Sequence, residues 1–401
     1  MFAYDHKFYR GEDGNYYSNG QFPYRIWQRY LEVFDELVVA VRVRPALPGE
    51  KIEKLDLSSG PRVRFVEIPS ISGLVAMFAA RAEAKRLLTD ALKDCDALIT
   101  RGSAIGRLAS QIAMQLKIPW AIEVVSSTFD SLWNYGSWQG KVYAPVADYL
   151  SRQLIKNAPY ALYVTREFLQ RRYPCQGKAV GCSDVQINCS AEEVLFKRKI
   201  VITNSRRPFK IGLIGSLASK YKGIETAMQA LRIIRQEQLE PVELHILGGG
   251  DSGQWKRLAE KLGVADQTVF CGTLPSGDAV NSWLDQIDLY IQPSYAEGLP
   301  RALLEAMNRG CPALGSSAGG IPELLEAGCI HRPGDSKGLA LLINKAMESK
   351  VWQLEQAERN FVEATCYDQG ILNQIRRDFW HDFGNYCQAM KGPRLDLKSA
   401  Q

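Results

Sequence analysis

Short apolar runs alternate along most of this chain with longer stretches in which apolar residues recur every three or four positions. The first pattern fits a strand buried on both faces and the second an amphipathic helix. Their alternation predicts parallel sheets covered by helices on both sides. Phe2, Ala3 and Tyr4 read as the end of a first strand. The polar, aromatic stretch from His6 to Arg25 reads as a loop, followed by a helix to about Glu36. Strands are predicted at 37–43, 63–66, 97–100, 120–125 and 161–164, with helices at 71–92, 104–116 and 142–157. The rhythm breaks between about Cys175 and Pro208, a polar stretch ending in the basic pair Arg206 and Arg207, which reads as an interdomain linker. It restarts with strands at 210–214, 243–247, 268–271 and 289–292 and helices at 224–236, 254–262 and 279–285.

The expected class is α/β, with two doubly wound, Rossmann-like units facing a cleft where a ligand would sit. The expected division is a first domain at 1–185, a linker at 186–208, a second domain at 209–366, and a last helix with its tail at 367–401.

Length and composition narrow the class without naming a chemistry. A chain of 401 residues with 46% hydrophobic content suits two ordinary globular domains. A net charge of +5 is mild and does not suggest a nucleic-acid partner. The nine cysteines are scattered without a CxxC pair, which points to reduced thiols rather than a disulfide frame or zinc site. No apolar run reaches membrane-spanning length and no signal peptide is visible, so a cytoplasmic protein is expected.

The chemistry concentrates between Gln292 and Glu323. Glu297 and Glu305 stand with seven residues between them, the first in a Gly/Pro loop after an apolar strand and the second inside the next helix. Pro300 suits the first helical position, where its missing N–H would be unpaired anyway, and Gly310 suits a left-handed cap. The helix start aims free amides, those of Gly298 and Leu299 among them, at the carboxyl edge of a parallel sheet, where an anion is favoured. Carboxylates accept from sugar and ribose hydroxyls. A second glycine turn, Gly319-Gly320, follows the next strand. One polyhydroxylated, phosphate-bearing ligand fits this set.

This segment resembles the E-x7-E signature of retaining, family-4-type glycosyltransferases of the GT-B fold. The likeness is strong from about residue 209 to 330 and rests on element order before that. It implies a nucleotide-diphosphate sugar donor, with Glu305 gripping the ribose and Glu297 meeting the donor sugar beside the backbone of Gly298, Leu299 and Pro300. Relatives clamp the diphosphate with an Arg and a Lys after the first strand of the second domain. Here Lys222-Gly223 matches the Lys-Gly pair, Ser216 stands where the Arg is usual, and Lys220 is a substitute cation. Fixed positive charge there would stabilise the leaving diphosphate. The resemblance implies a hexosyltransferase that needs no metal or other cofactor, and retention on one face, with the departing phosphate taking the acceptor proton. It also implies a last helix that crosses back onto the first domain. Enzymes of this kind commonly build surface glycans such as lipopolysaccharide, so a glycan or lipid-linked acceptor is expected.

Gly248 to Gly253 reads GGGDSG, literally GxGxxG after a strand. It follows the second strand of its domain, and the next strand ends Val269-Phe270-Cys271-Gly272 without an acid, so a dinucleotide site is not expected. By resemblance, Gly250 lies near the nucleotide and Phe270 near the base, and Gly20 stands in a loop that approaches the donor phosphates. Arg101 is either an acceptor-side site residue or part of a plain helix start that Ser103 would cap. On the acceptor side, Glu123 ends a strand and Asp130 follows it, while His6, after the first strand, is either a site residue or a structural one. The helix from Ile71, with Arg81, Lys85, Arg86 and Lys93, is either a peripheral contact with the inner face of a membrane or a domain helix with a solvated edge. Two other functions fit the same ligand. One is a sugar-nucleotide epimerase; a phosphorylase would want a pyridoxal-phosphate lysine and a longer chain. The other is a non-catalytic sugar-nucleotide-binding protein, to which Ser216 is the only pointer.

Overall fold

Phe2–Arg10 lies inside the first sheet because its backbone pairs on both edges with apolar strands and its apolar start is buried on both faces. In the computed structural model it is flanked by the parallel strands Leu37–Pro45 and Leu98–Arg101. The described residues are 1–20, 22–45, 55–71, 77–134, 138–185, 187–204, 208–237 and 241–390. Arg206, Arg207, the start of the helix predicted from Ile71, and the tail after Met390 lie outside them.

The parallel strands run Val63–Glu67, Leu37–Pro45, Phe2–Arg10, Leu98–Arg101, Trp120–Val124, Tyr160–Tyr163 and Lys178–Gly181 across the sheet. Two short antiparallel strands, Tyr16–Ser18 and Asp56–Leu57, extend the far end of Phe2–Arg10. The first strand is therefore longer than its apolar start predicts. Pairing of Lys7 to Arg10 with Arg42 to Pro45 carries it through polar sequence, and His6 lies inside it rather than after it.

The second sheet is parallel throughout, in the order Thr268–Gly272, Val242–Leu247, Phe209–Ile214, Leu289–Gln292, Ala313–Ser316, Ile330–His331. In each sheet the chain moves outward from the first strand, then returns past it to build the other side. Strand order reverses there, which makes a crevice at the carboxyl edge. The predicted strands and helices of this half match the observed ones within about two residues.

The stretch read as linker is not uniformly extended. Glu192–Thr203 is a helix, with two acidic residues in its first turn. Its Arg198 is buried against the second domain and donates to the carbonyls of Leu284 at 2.9 Å, Ile287 at 2.6 Å and Arg309 at 3.2 Å. The two chain passages between the sheets run side by side, with Ile187 bridged to Asp368.

The last helix, Gln369–Met390, crosses back onto the first domain as expected. Trp380 packs edge-on against Tyr30 with ring centroids 5.2 Å apart, and Phe383 against Phe34 at 6.2 Å. Arg376 donates to the carbonyl of Ser183 at 2.6 Å. Burying Trp380 and Phe383 contributes about 2–3 kcal/mol each. One apolar cluster thus runs from Phe2 and Trp27 through these rings to Tyr290 and Leu303.

Candidate functional site

The apolar strand Leu289–Gln292 delivers a polar loop to the crevice, and that loop is tied down from beneath. Buried Tyr290 donates its hydroxyl to Gln292 Oε1 at 2.7 Å, which turns the amide nitrogen of Gln292 toward the loop. That nitrogen reaches Glu297 Oε1 at 3.1 Å, and Ser294 Oγ donates to the same oxygen at 2.8 Å. Lys222 Nζ completes the set at 2.8 Å. Burial first, with Glu297 and Glu305 adding to it, pushes the Tyr290 phenol well above its usual value, so it remains a donor. Tyr290, Gln292 and Ser294 were not singled out in the sequence. Only their position beneath the carboxylate identifies them.

Lys222 reaches the loop because Gly223 lets its turn press close. Gly223 has φ +75°, and a Cβ there would overlap the carbonyl oxygen of Pro293. The backbone of Tyr295 also donates to Tyr221 at 2.7 Å. The Lys-Gly pair is thus both a charge and a packing device. Ser216 is exposed at the end of the first strand, its hydroxyl 3.3 Å from the Ala218 amide. Lys220 is exposed in the same turn and forms no ion pair among the described residues.

Glu305 lies on the helix Arg301–Asn308, half-buried. Burial raises its carboxyl pKa and Arg301 opposes the rise. Pro300 stands just before the helix at φ −76°, one position earlier than expected, and Gly310 closes it at φ +62°. Gly298 faces the first domain, where an added Cβ would come within 2.6 Å of the Val125 carbonyl oxygen. Leu299 is buried, and the Gly320 amide donates to Gly298 at 2.7 Å. Gly319 backs the loop so closely that a Cβ would overlap the carbonyl of Glu297. Both glycine turns therefore serve one carboxylate.

The GGGDSG turn has a packing origin. Gly248 lies against the carbonyl of Gly215, and Gly250, at φ +121°, lies against Leu217 and the Ala218 amide. Phe270 turns its ring toward the core of its domain, which leaves its backbone for any ligand contact.

The first-domain candidates separate. Arg101 and Glu123 meet each other, with Arg101 Nε 2.6 Å from Glu123 Oε2, while Tyr30 donates to Glu123 Oε1 at 2.8 Å. Glu123 is 2% exposed and both its oxygens are engaged, so it is not free to orient an acceptor. Arg101 also meets Asp184 at 3.2 Å. Burial lowers the pKa of Arg101, but Glu123 and Asp184 outweigh it and hold the guanidinium charged. Ser103 does cap its helix, accepting from the Gly106 amide at 2.9 Å.

His6 sits among Tyr4, Phe8 and Phe22, and burial, helped by Arg101 and Arg42, lowers its pKa to about 4. It is a neutral ring in an aromatic cluster. Gly20 adopts φ +74° in open space, where a Cβ would meet nothing within 4 Å. Asp130 lies 3.8 Å from Arg172.

Between the domains lies a cavity of about 740 Å³, lined by Arg152, Arg166, Arg171 and Arg172 from the first and by Ser317, Gly319, Pro322 and Glu323 from the second. Glu323 joins the domains directly. Its carboxylate accepts from the amides of Arg166 at 2.6 Å, Glu167 at 3.1 Å and Phe168 at 2.5 Å. None of these contacts is visible in sequence, because the partners lie far apart along the chain. Among the described residues, no group of three or more His, Cys, Asp or Glu side chains is placed to share a metal ion. None of the nine cysteines forms a disulfide.

A family model described as glycosyl transferases group 1 matches residues 208–349. The protein CapJ of Staphylococcus aureus is 35% identical over 380 residues, 94% of this chain and 93% of that one. The amylovoran biosynthesis glycosyltransferase AmsK of Erwinia amylovora is 32% identical over 178 residues, 41% of this chain and 43% of that one. Among solved structures, sucrose-phosphate synthase of Thermosynechococcus elongatus superimposes with a TM-score of 0.61 at 16% identity, over 88% of this chain and 89% of that one. Anabaena HepE, crystallised with UDP-glucose, superimposes with a TM-score of 0.58 at 15% identity, over 96% and 100%. These likenesses show the two-domain GT-B fold.

Proposed function

Because the chain belongs to the glycosyl transferases of group 1, and is a glycosyltransferase, we propose that it moves a sugar from a nucleotide-diphosphate donor to a hydroxyl of a glycan or lipid-linked acceptor. In this reading the anomeric configuration is retained, no metal is needed, and the product feeds a surface polysaccharide. One observation carries it: Glu297 and Lys222 meet at 2.8 Å on the edge of the second sheet that faces the first domain. A donor whose diphosphate reaches Lys222 lays its sugar against Glu297. The comparisons fit this: a structural neighbour was crystallised with UDP-glucose, and a relative is named for amylovoran biosynthesis.

The bond from the anomeric carbon to the leaving phosphate breaks as the bond to the acceptor oxygen forms, and the acceptor proton passes to the departing phosphate. Lys222, with the amides of Gly298 and Leu299, stabilises the charge that develops on the diphosphate. Glu305 accepts from the ribose hydroxyls and Glu297 from a hydroxyl of the sugar. Contact between Gly298 and the first domain keeps the reacting carbon away from water, which competes with the acceptor. Glu123 and Arg101, engaged with each other, have no part in this scheme.

The test is a thermal-shift screen against UDP-, GDP-, ADP-, CDP- and dTDP-sugars, repeated with Glu305→Ala. Binding to the native state raises the melting point by mass action. A shift with one nucleotide class that Glu305→Ala abolishes supports the donor site. No shift with any class sinks it. Nucleotide release that persists in EDTA supports metal independence, and loss of release that added divalent cation restores overturns it.

A further inference from the structure

The helix Trp138–Lys156 carries its apolar residues on both sides. Ala144, Ala147, Leu154 and Ile155 are buried against the domain. On the opposite side Trp138 is 72% exposed, Val142 69%, Val146 54% and Tyr149 61%, at spacings that place them on one line of the helix. A helix at a protein surface normally turns charged and polar residues to that side. A contiguous exposed apolar stripe marks an interaction surface. The adjoining helix Thr128–Asn134 extends it with Trp133, whose ring stacks on Phe129 at 5.2 Å.

Charge says what covers it. Lys141, Arg152 and Lys156 lie on the same helix, and Lys141 Nζ stands 5.9 Å from the Trp133 ring. Arg172 lies over the Phe129 ring at 5.5 Å. The acids nearby pair with the arginines, Asp148 with Arg152 at 2.9 Å and Asp130 with Arg172 at 3.8 Å, so the surplus positive charge is that of Lys141 and Lys156, which form no ion pair among the described residues. The stripe is therefore aromatic and aliphatic in the middle and basic along its flank. That is the composition of a helix lying in a bilayer interface, with Trp and Tyr at headgroup depth and cations against anionic lipid.

We propose that this face docks the protein on an anionic phospholipid bilayer, with Trp138, Val142, Val146 and Tyr149 entering the interface. The helix Met77–Lys93, read from sequence as either such a contact or a domain helix, turns Ala84, Leu88, Ala91 and Leu92 into the core and leaves no large apolar side chain exposed among its described residues. It is a domain helix. Arg152 belongs both to the docking flank and to the cavity between the domains. Docking therefore brings the mouth of that cavity to the headgroup layer, which rests on the reading of a lipid-linked acceptor. The docking itself does not depend on the donor chemistry.

The experiment is co-sedimentation of the full chain with vesicles of phosphatidylcholine, alone or mixed with phosphatidylglycerol. The expected result is partition onto the anionic vesicles that weakens with added salt. It falls at least about tenfold in Val142→Asp and Val146→Asp, and is unchanged in Leu341→Ser, an equally exposed apolar residue in the second domain. Circular dichroism establishes that the variants fold. Should the Asp variants fail to fold, brominated-lipid quenching of the wild type that drops in Trp138→Phe supports the same docking. Equal partition on neutral and anionic vesicles, none on either, or Asp variants that bind as wild type would overturn it. So would a concentration-dependent dimer in sedimentation velocity that the same variants abolish, since a second copy would then be the occupant. None of these readouts uses a sugar nucleotide, so failure here leaves the donor site standing.

Discussion

Lys222 Nζ stands 2.8 Å from Glu297 Oε1, and the same oxygen accepts from Gln292 and Ser294. The carboxylate is thus held by neutral donors even without its cation, while the cation has no second anion among the described residues. Removing the lysine should touch the chemistry far more than the fold. Lys222→Ala is expected to lower kcat/KM for nucleotide release by about 10²–10³-fold, with a melting point close to wild type. A parallel loss of both would assign the lysine to the fold instead.

Glu305 is expected to oppose stability while serving the site. Burial raises its carboxyl pKa above that of the unfolded chain, so the native state holds the proton more tightly than the unfolded state. The stability this contributes is present below the unfolded pKa and is lost as pH rises through the folded one. At pH above both values the buried charge is a cost. Glu305→Gln should therefore melt higher than wild type at neutral pH, with the gap narrowing toward about pH 4, and should lose the donor-induced shift. Melting curves across pH with and without donor check both halves. A variant that melts lower at neutral pH removes the first.

Gly319 is tested best against a second glycine. At φ +58° it lies so near Glu297 that a Cβ would overlap the carbonyl, whereas a Cβ on Gly328 would meet nothing within 4 Å. Gly319→Ala should destabilise by about 1–3 kcal/mol and abolish the donor-induced shift. Gly328→Ala should stay within about 0.5 kcal/mol of wild type. Urea unfolding measures each, and equal effects would show that closeness to Glu297 is not what Gly319 provides.

Glu323 binds the second domain to the amides of Arg166, Glu167 and Phe168 in the first. These are charge-assisted bonds at a partly exposed place, so their loss should weaken domain closure by about 1–2 kcal/mol without unfolding either domain. Glu323→Ala is expected to raise the radius of gyration in small-angle scattering and to raise KM for donor. An unchanged radius would leave closure to the remaining contacts between the domains, among them Arg166 with Glu363 and the last helix with the first domain.

Local patterns were enough to read much of this molecule. The second sheet, the helix that ends at Gly310 and the two glutamates around it are short-range features, each set by a few consecutive residues. The return of the last helix was implied by its likeness to relatives, and its rings show why it returns. The helix Glu192–Thr203 also had local signs, with its acidic first turn and Leu195, Arg198 and Ile202 at helical spacing, but the polar composition around it concealed them.

Tertiary structure alone decided the partnerships. Arg101 and Glu123 read as two open site residues until the strands brought them within 2.6 Å. Phe2–Arg10 runs past its apolar start because a neighbouring strand offers hydrogen bonds to its polar half. The sharpest case is the pair of apolar helices. Met77–Lys93 and Trp138–Lys156 both show helical periodicity, yet one turns its apolar line inward while the other leaves a second line in solvent. Period reports that a helix has a face; which way that face points depends on neighbours that a single segment does not contain.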